Sequence, residues 1–307
     1  MKREMEDCRL CPRECGADRL HGKPGFCGVG SRIRAARAAL HLWEEPCLIG
    51  EKGSGAVFFS GCGLRCVFCQ NYEIARAAAG EEIPEERLAE IFLELQDQGA
   101  ANINLVTPTP YVPQIAEALT SAKRQGLALP VVYNCGGYEK VSTLQRLEGL
   151  VNIWLPDYKY ESRELARRYS RAEDYPDRVK EALDEMVRQA GRPVFAPDGR
   201  MLRGVIARHL VLPGQKEDSK AVVAYLYRRY QDRIYLSLMR QYTPLPQAAA
   251  FPELNRKVTS YEYEQVVDHA LALGVTRGFM QRGGTAKESF IPAFDGQGIR
   301  RERKGEK

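Results

Sequence analysis

From about residue 55 onward the chain alternates short β-branched or aromatic runs with longer amphipathic stretches, and this alternation limits its fold more than any other feature. Runs at 56–60, 101–106, 130–133, 151–155, 205–212, 233–238 and 275–280 have the length and residue types of strands. Between the first two, Leu88, Ile91, Phe92 and Leu95 make one helical stripe, which starts after Pro84 with Glu85 and Glu86 in its first turn and stops at Gly99. Similar helices are predicted at 111–125, 139–147, 161–170, 176–190, 218–230 and 261–273. Repeated βα units imply an α/β fold with a parallel sheet, either doubly wound and open or closed into a full or partial barrel. A hairpin is expected where residues 194–196 run into Pro197, Asp198 and Gly199.

With 307 residues, 44% hydrophobic and 28% charged, the chain can bury a large core, and disorder as its main state is excluded. Uncharged apolar runs such as 56–59 and 221–226 fall far short of the roughly 18–20 residues that cross a bilayer, so no membrane partner is expected. The first residues carry Lys2, Arg3, Glu4, Glu6 and Asp7 without an apolar segment, and a cytoplasmic location is the expectation. Of the net charge of +5, the last eight residues supply +3, so the tail is expected to be disordered and a nucleic-acid partner is not expected.

Eight of the nine cysteines lie within the first 69 residues, and in a reducing compartment that clustering points to metal or cluster chemistry before disulfides. Cys62, Cys66 and Cys69 have the spacing C-x3-C-x2-C directly after the first strand, at the sheet edge where parallel α/β proteins place their sites. Three thiolates this close can hold one four-iron cluster and leave one iron open to a non-protein ligand. Gly61 and Gly63 are expected to let the backbone wrap closely there.

This loop resembles the cluster-binding loop of the radical S-adenosylmethionine (radical SAM) superfamily, with Phe68 at the aromatic position before the third cysteine. Phe58, Phe59, Ser60, Gly61 and Cys62 are similar to the pyruvate formate-lyase activating enzyme branch. The resemblance implies a partial (β/α)6 barrel, here residues 49–285, carrying a 4Fe-4S cluster and SAM. It also implies reductive SAM cleavage to a 5'-deoxyadenosyl radical that abstracts hydrogen, with a one-electron donor such as flavodoxin or ferredoxin. By the same resemblance the leading expectation is an activase of a glycyl-radical enzyme. Radical modification of a peptide, small molecule or nucleoside is the alternative, and a non-catalytic iron-sulfur or zinc protein is the alternative of another class.

SAM offers an ammonium, a carboxylate, a ribose and an adenine, so its partners are sought at strand ends. Gln70 and Asn71 follow the third cysteine, and Thr107 and Thr109 stand where the family usually has a Gly-Gly-Glu-Pro-like run. Asn134 ends the third strand, and Asp157 and Lys159 end the fourth in a pattern similar to the family's Asp-x-Lys beside the methionine end of SAM. Arg208, His209 and Gln241 are candidates from later strands.

Cys8, Cys11, Cys15 and Cys27 lie in a Gly-, Pro- and charge-rich stretch too polar to build its own core, so residues 1–48 are expected to be a module folded around zinc or an auxiliary 4Fe-4S cluster. Cys47 and Cys135 are expected to be inert, and residues 286–307 to form a tail. Arg163, Arg167 and Arg171 share a helix face flanked by Tyr158, Tyr160, Tyr169 and Tyr175, which is either a solvated face or a docking patch for a macromolecular substrate.

Overall fold

The computed structural model describes residues 2–281 and 292–301. The chain begins with α1 (Lys2–Glu6), β1 (Ile33–His41), α2 (Pro46–Ile49) and β2 (Ser54–Phe59), then α3 (Tyr72–Ala75) and β3 (Glu81–Ile83). Helical crossovers follow: α4 (Glu85–Asp97) to β4 (Ile103–Val106), α5 (Val112–Arg124) to β5 (Val131–Cys135), and α6 (Val141–Leu144) to β6 (Ile153–Pro156). Next come α7 (Arg163–Ser170), α8 (Tyr175–Ala190), β7 (Val194–Phe195) and β8 (Met201–Leu210). The last described elements are α9 (Lys216–Tyr230), β9 (Tyr235–Met239), α10 (Ser260–Leu273) and β10 (Gly278–Met280).

The strands form one open sheet in the order β10-β9-β8-β6-β5-β4-β2-β1-β3, with β7 paired to β8 off that path. From β2 to β10 the neighbours run parallel, because each is reached through a helix that packs back on the sheet. The result is a mostly parallel α/β fold of the partial-barrel kind, and the hairpin around Gly199 forms as expected, antiparallel. Period-two alternation sorts the side chains: Val57, Leu105, Tyr133, Trp154 and Val205 face the helices, whereas Phe58, Val106, Val132, Leu155 and Ile206 face inward.

β1 lies within the span expected to form the cysteine-rich module, and it pairs antiparallel with both β2 and β3. Its Ile33, Ala35, Ala36 and Ala38 are buried, so small alanines let the strand lie close against the barrel edge. Residues 2–32 carry a small apolar cluster of Met5, Cys8 and Leu10. At the other end, Ala38 N donates to Gln297 O at 2.8 Å and Arg87 Nε to Ile299 O at 2.9 Å, with Ile299 fully buried. Ile299, within the expected tail, is thus docked on the fold, and residues 286–291 and 302–307 of that tail lie outside the described residues. Among the described residues no helix is long and apolar enough to cross a membrane.

Candidate active site

β2 delivers the cysteine loop. After Phe59 the chain turns through Gly61 at φ +92°, where a β-carbon would stand 2.6 Å from Val29 Cγ1. Gly63 is different: against the protein around it, a β-carbon there meets Cys11 Sγ at 3.5 Å, an ordinary contact. Cys62, Cys66 and Cys69 line one cavity of about 210 Å³ at the C-terminal edge of the parallel strands. Ser170 Oγ donates to Cys66 Sγ at 2.9 Å, and Leu64 N to Cys62 Sγ at 3.4 Å. Burial and the adjoining thiols of Cys66 and Cys62 push the Cys69 thiol up to about 12, so three neighbouring thiolates require a positive centre among them.

Phe68 is buried and meets Tyr160, Tyr169 and Tyr242 edge-on at centroid distances of 6.2, 6.3 and 6.4 Å. This corrects the surface patch read from the sequence. Tyr158, Tyr160, Tyr169 and Tyr175 are interior, and only Arg163, Arg167 and Arg171 are exposed. The Tyr175 hydroxyl accepts from Lys159 N at 2.9 Å and lies 2.7 Å from Asp157 O and 3.0 Å from Gly136 O, tying two strand ends together.

A chain of charges crosses the cavity wall. Lys159 Nζ donates to Asp157 Oδ2 at 2.6 Å, and Arg208 donates to Asp157 Oδ1 at 2.9 Å and to Asn134 Oδ1 at 2.6 Å. Burial works against the Asp157 carboxylate, but Arg208 and Lys159 prevail and keep its pKa below the ordinary value. Burial opposes the Lys159 ammonium too, and Asp157 with the thiols of Cys66 and Cys69 outweighs it, so its pKa is raised. Gln70 Nε2 donates to Gln241 O at 3.2 Å, and both side chains line the cavity together with Asn71 and Thr107. Thr107 takes φ +59°, a conformation natural to glycine, as it turns the chain off the end of β4.

Two sequence candidates lie elsewhere. His209 neighbours the inward Arg208 on β8, so alternation points it outward, where its Nδ1 lies 2.7 Å from Tyr158 O. Burial lowers its pKa to about 4, so it is a neutral structural histidine. Thr109 Oγ1 donates to buried Glu139 Oε1 at 2.7 Å and faces the N-terminal cysteines. Cys135, read as inert, lies in the main cavity wall, whereas Cys47 lines a different recess with Pro46 and Phe195.

Glu44 was not anticipated, because no motif surrounds it. It follows β1 into the barrel floor, accepts from Asn104 Nδ2 at 2.9 Å and stands 3.4 Å from Arg208. Burial, only partly offset by Arg208, pushes its carboxyl up to about 7. His41 and Trp43 from the same stretch also line the cavity.

Cys8, Cys11, Cys15 and Cys27 line a second, small cavity with Arg13, Arg19, Phe26 and Gly63. Among the described residues no three His, Cys, Asp or Glu side chains are gathered closely enough for a single ion. A four-iron cluster makes a different demand, since each thiolate takes its own iron at a separate corner.

Comparison with known proteins agrees with this architecture. Uncharacterized protein MJ0674 of Methanocaldococcus jannaschii is 28% identical over 278 residues, covering 88% of this chain and 75% of that protein. The solved FeFe-hydrogenase maturase HydG of Carboxydothermus hydrogenoformans is similar with a TM-score of 0.51 at 13% identity, over 79% of this chain and 59% of that one. SuiB of Streptococcus suis, solved with S-adenosylmethionine, has a TM-score of 0.49 at 14% identity, over 73% and 48%. This chain spans about half the length of these two solved proteins, and the likeness to HydG is one of fold. The radical SAM superfamily model matches residues 56–226, more than half of the chain, and takes in the cysteine loop and the strand-end residues from Thr107 to Arg208: this chain belongs to the radical SAM superfamily.

Proposed function

We propose that this radical SAM enzyme abstracts hydrogen from a polypeptide, with a glycyl-radical enzyme as its leading partner. Family membership implies a 4Fe-4S cluster and SAM, and the residues fit them: three crowded thiols on one cavity, with Lys159, Asp157, Asn134 and Arg208 beside them. When bound, the pair supplies a 5'-deoxyadenosyl radical from one electron and one SAM. Cys62, Cys66 and Cys69 are the cluster ligands. Lys159 suits the SAM carboxylate as a point charge, and Asn134 and Asp157 offer oxygens to its ammonium. Gln70, Asn71, Thr107 and Gln241 remain for the ribose and adenine. Phe58, Val106 and Leu210 make the apolar wall that keeps water from the reacting carbon.

One observation favours a polypeptide. Trp43, in the cavity wall next to Glu44, is 59% exposed, and its chain neighbour Leu42 is 53% exposed, so an entrance on this side would offer two large apolar side chains to an incoming chain. A low-potential one-electron donor such as flavodoxin or ferredoxin completes the system, and the N-terminal cysteines hold a second metal centre.

The test is anaerobic incubation of the reconstituted protein with SAM, a reductant and a candidate glycyl-radical enzyme, followed by electron paramagnetic resonance. A glycyl doublet on the partner supports the reading, and its loss with Trp43→Ala supports the proposed entrance. SAM turnover coupled only to a small molecule contradicts the polypeptide assignment.

A further inference from the structure

Around the four N-terminal thiols the charge does not balance. Arg19 is 1% exposed, and its guanidinium donates to Gly30 O, to Pro110 O at 2.8 Å and toward Cys8 Sγ at 3.6 Å. Arg13 donates to Gly63 O and Ser170 O, both at 2.8 Å, and to Arg171 O. Arg65, from the catalytic loop, shares the Phe26 ring with Arg13 and has a buried, unpartnered Nε. Among the described residues none of these three cations is paired with a carboxylate. Glu139, the buried acid beside Cys11, is engaged by Thr109 and Tyr133. A buried guanidinium such as that of Arg19, met by carbonyls and one thiol sulfur, calls for an anion nearby, and four thiolates around a metal centre carry net negative charge.

A zinc site and an iron-sulfur cluster balance that charge equally well, but position separates them. Gly63 lies in the wall of the thiol cavity, with Cys11 Sγ 3.5 Å from where its β-carbon would be, and it is bonded covalently to Cys62. A second bridge runs through Ser170, whose carbonyl accepts from Arg13 while its hydroxyl donates to Cys66 Sγ. On the far side, Cys15 is exposed to solvent. The arrangement therefore runs from the surface, through four thiols, to two of the three catalytic ligands. Zinc has no redox chemistry to use along such a route.

From this juxtaposition we infer that Cys8, Cys11, Cys15 and Cys27 hold a second 4Fe-4S cluster that passes single electrons to the catalytic centre across Gly63. The inference rests on the radical SAM reading of Cys62, Cys66 and Cys69 for its acceptor. A low-potential donor protein gives one electron to the N-terminal core, taking it from 2+ to 1+. That core returns to 2+ as the catalytic core goes from 2+ to 1+, and SAM cleavage consumes the electron. Arg13 and Arg19 offset the extra negative charge of the reduced state.

The decisive variant is Cys62→Ala/Cys66→Ala/Cys69→Ala, reconstituted anaerobically with iron and sulfide in the presence of zinc. It is expected to retain about four irons and four sulfides per chain and to show a reduced-cluster signal in electron paramagnetic resonance after dithionite. Stoichiometric zinc without iron, or no metal at all, overturns the assignment. Because this variant lacks the catalytic thiols, its metal content reports on the N-terminal site whatever the wild type does with SAM. The relay is tested in the wild type by potentiometric titration. The signal of the first centre should broaden or split as the second becomes reduced, and two signals that merely add contradict a shared electron route. The first centre's midpoint should move to lower potential in Arg19→Gln, while Arg19→Lys restores it.

Discussion

Ser170 shows how much a single hydroxyl can do here. It donates to Cys66 Sγ at 2.9 Å and lies 2.8 Å from the Tyr160 hydroxyl, at the end of α7 and far from the cysteine loop in sequence. Hydrogen bonds to cluster sulfur raise the reduction potential by easing the added negative charge. Ser170→Ala is therefore expected to keep its iron, to shift the catalytic cluster to lower potential, and to form 5'-deoxyadenosine roughly tenfold more slowly. An unchanged potential in a redox titration would show that this hydroxyl is only structural. Glu139 gives a second residue-scale prediction. Burial pushes its carboxyl up to about 7, with Thr109, Tyr133 and Cys135 opposing. The folded state thus binds a proton between about pH 4.5 and 7 that the unfolded chain has released, so stability falls as pH rises through that window and is level above it. In Glu139→Gln this contribution, roughly 3 kcal/mol in all, disappears, and the difference from wild type should grow across the same window in denaturant titrations.

At the scale of elements, the turn out of β2 carries the most constraint. Gly61 combines φ +92° with Val29 Cγ1 at 2.6 Å and Cys27 O at 3.1 Å from a β-carbon. Gly61→Ala should destabilise the fold by about 1–3 kcal/mol and reduce iron retention, measured by thermal unfolding and metal analysis. A stable, iron-replete variant would mean that the loop has more freedom than this geometry implies. The parallel strands and their helices were legible in the sequence because each carries its own period: Leu88, Ile91, Phe92 and Leu95 on α4, or the apolar run of β4. β1 was not, because its alanines and arginines resemble neither a buried strand nor an amphipathic one, and its pairing depends on β2 and β3 far along the chain. Alternation also explains the site. Arg208 and His209 are neighbours in sequence, but only tertiary placement of β8 decides which of them enters the cavity. Glu44 lies on an irregular stretch whose function comes wholly from the barrel floor it enters.

For the molecule as a whole, the barrel, the N-terminal thiols and the returning residues 292–301 converge on the neighbouring strands β1 and β2. Arg13 and Arg19 fix the thiol module to the catalytic loop and to Pro110 after β4, so the two cysteine sets are parts of one structure. The parallel strand ends collect Lys159 and Arg208 beside three thiols in one cavity. All of this supports one chemical claim, that the cysteine loop and its neighbours cleave SAM. The direct measurement is 5'-deoxyadenosine released after anaerobic reconstitution with iron and sulfide, then dithionite and SAM, with Cys66→Ala as the control. The account predicts product from the wild type and none above background from Cys66→Ala; equal yields from the two would contradict it.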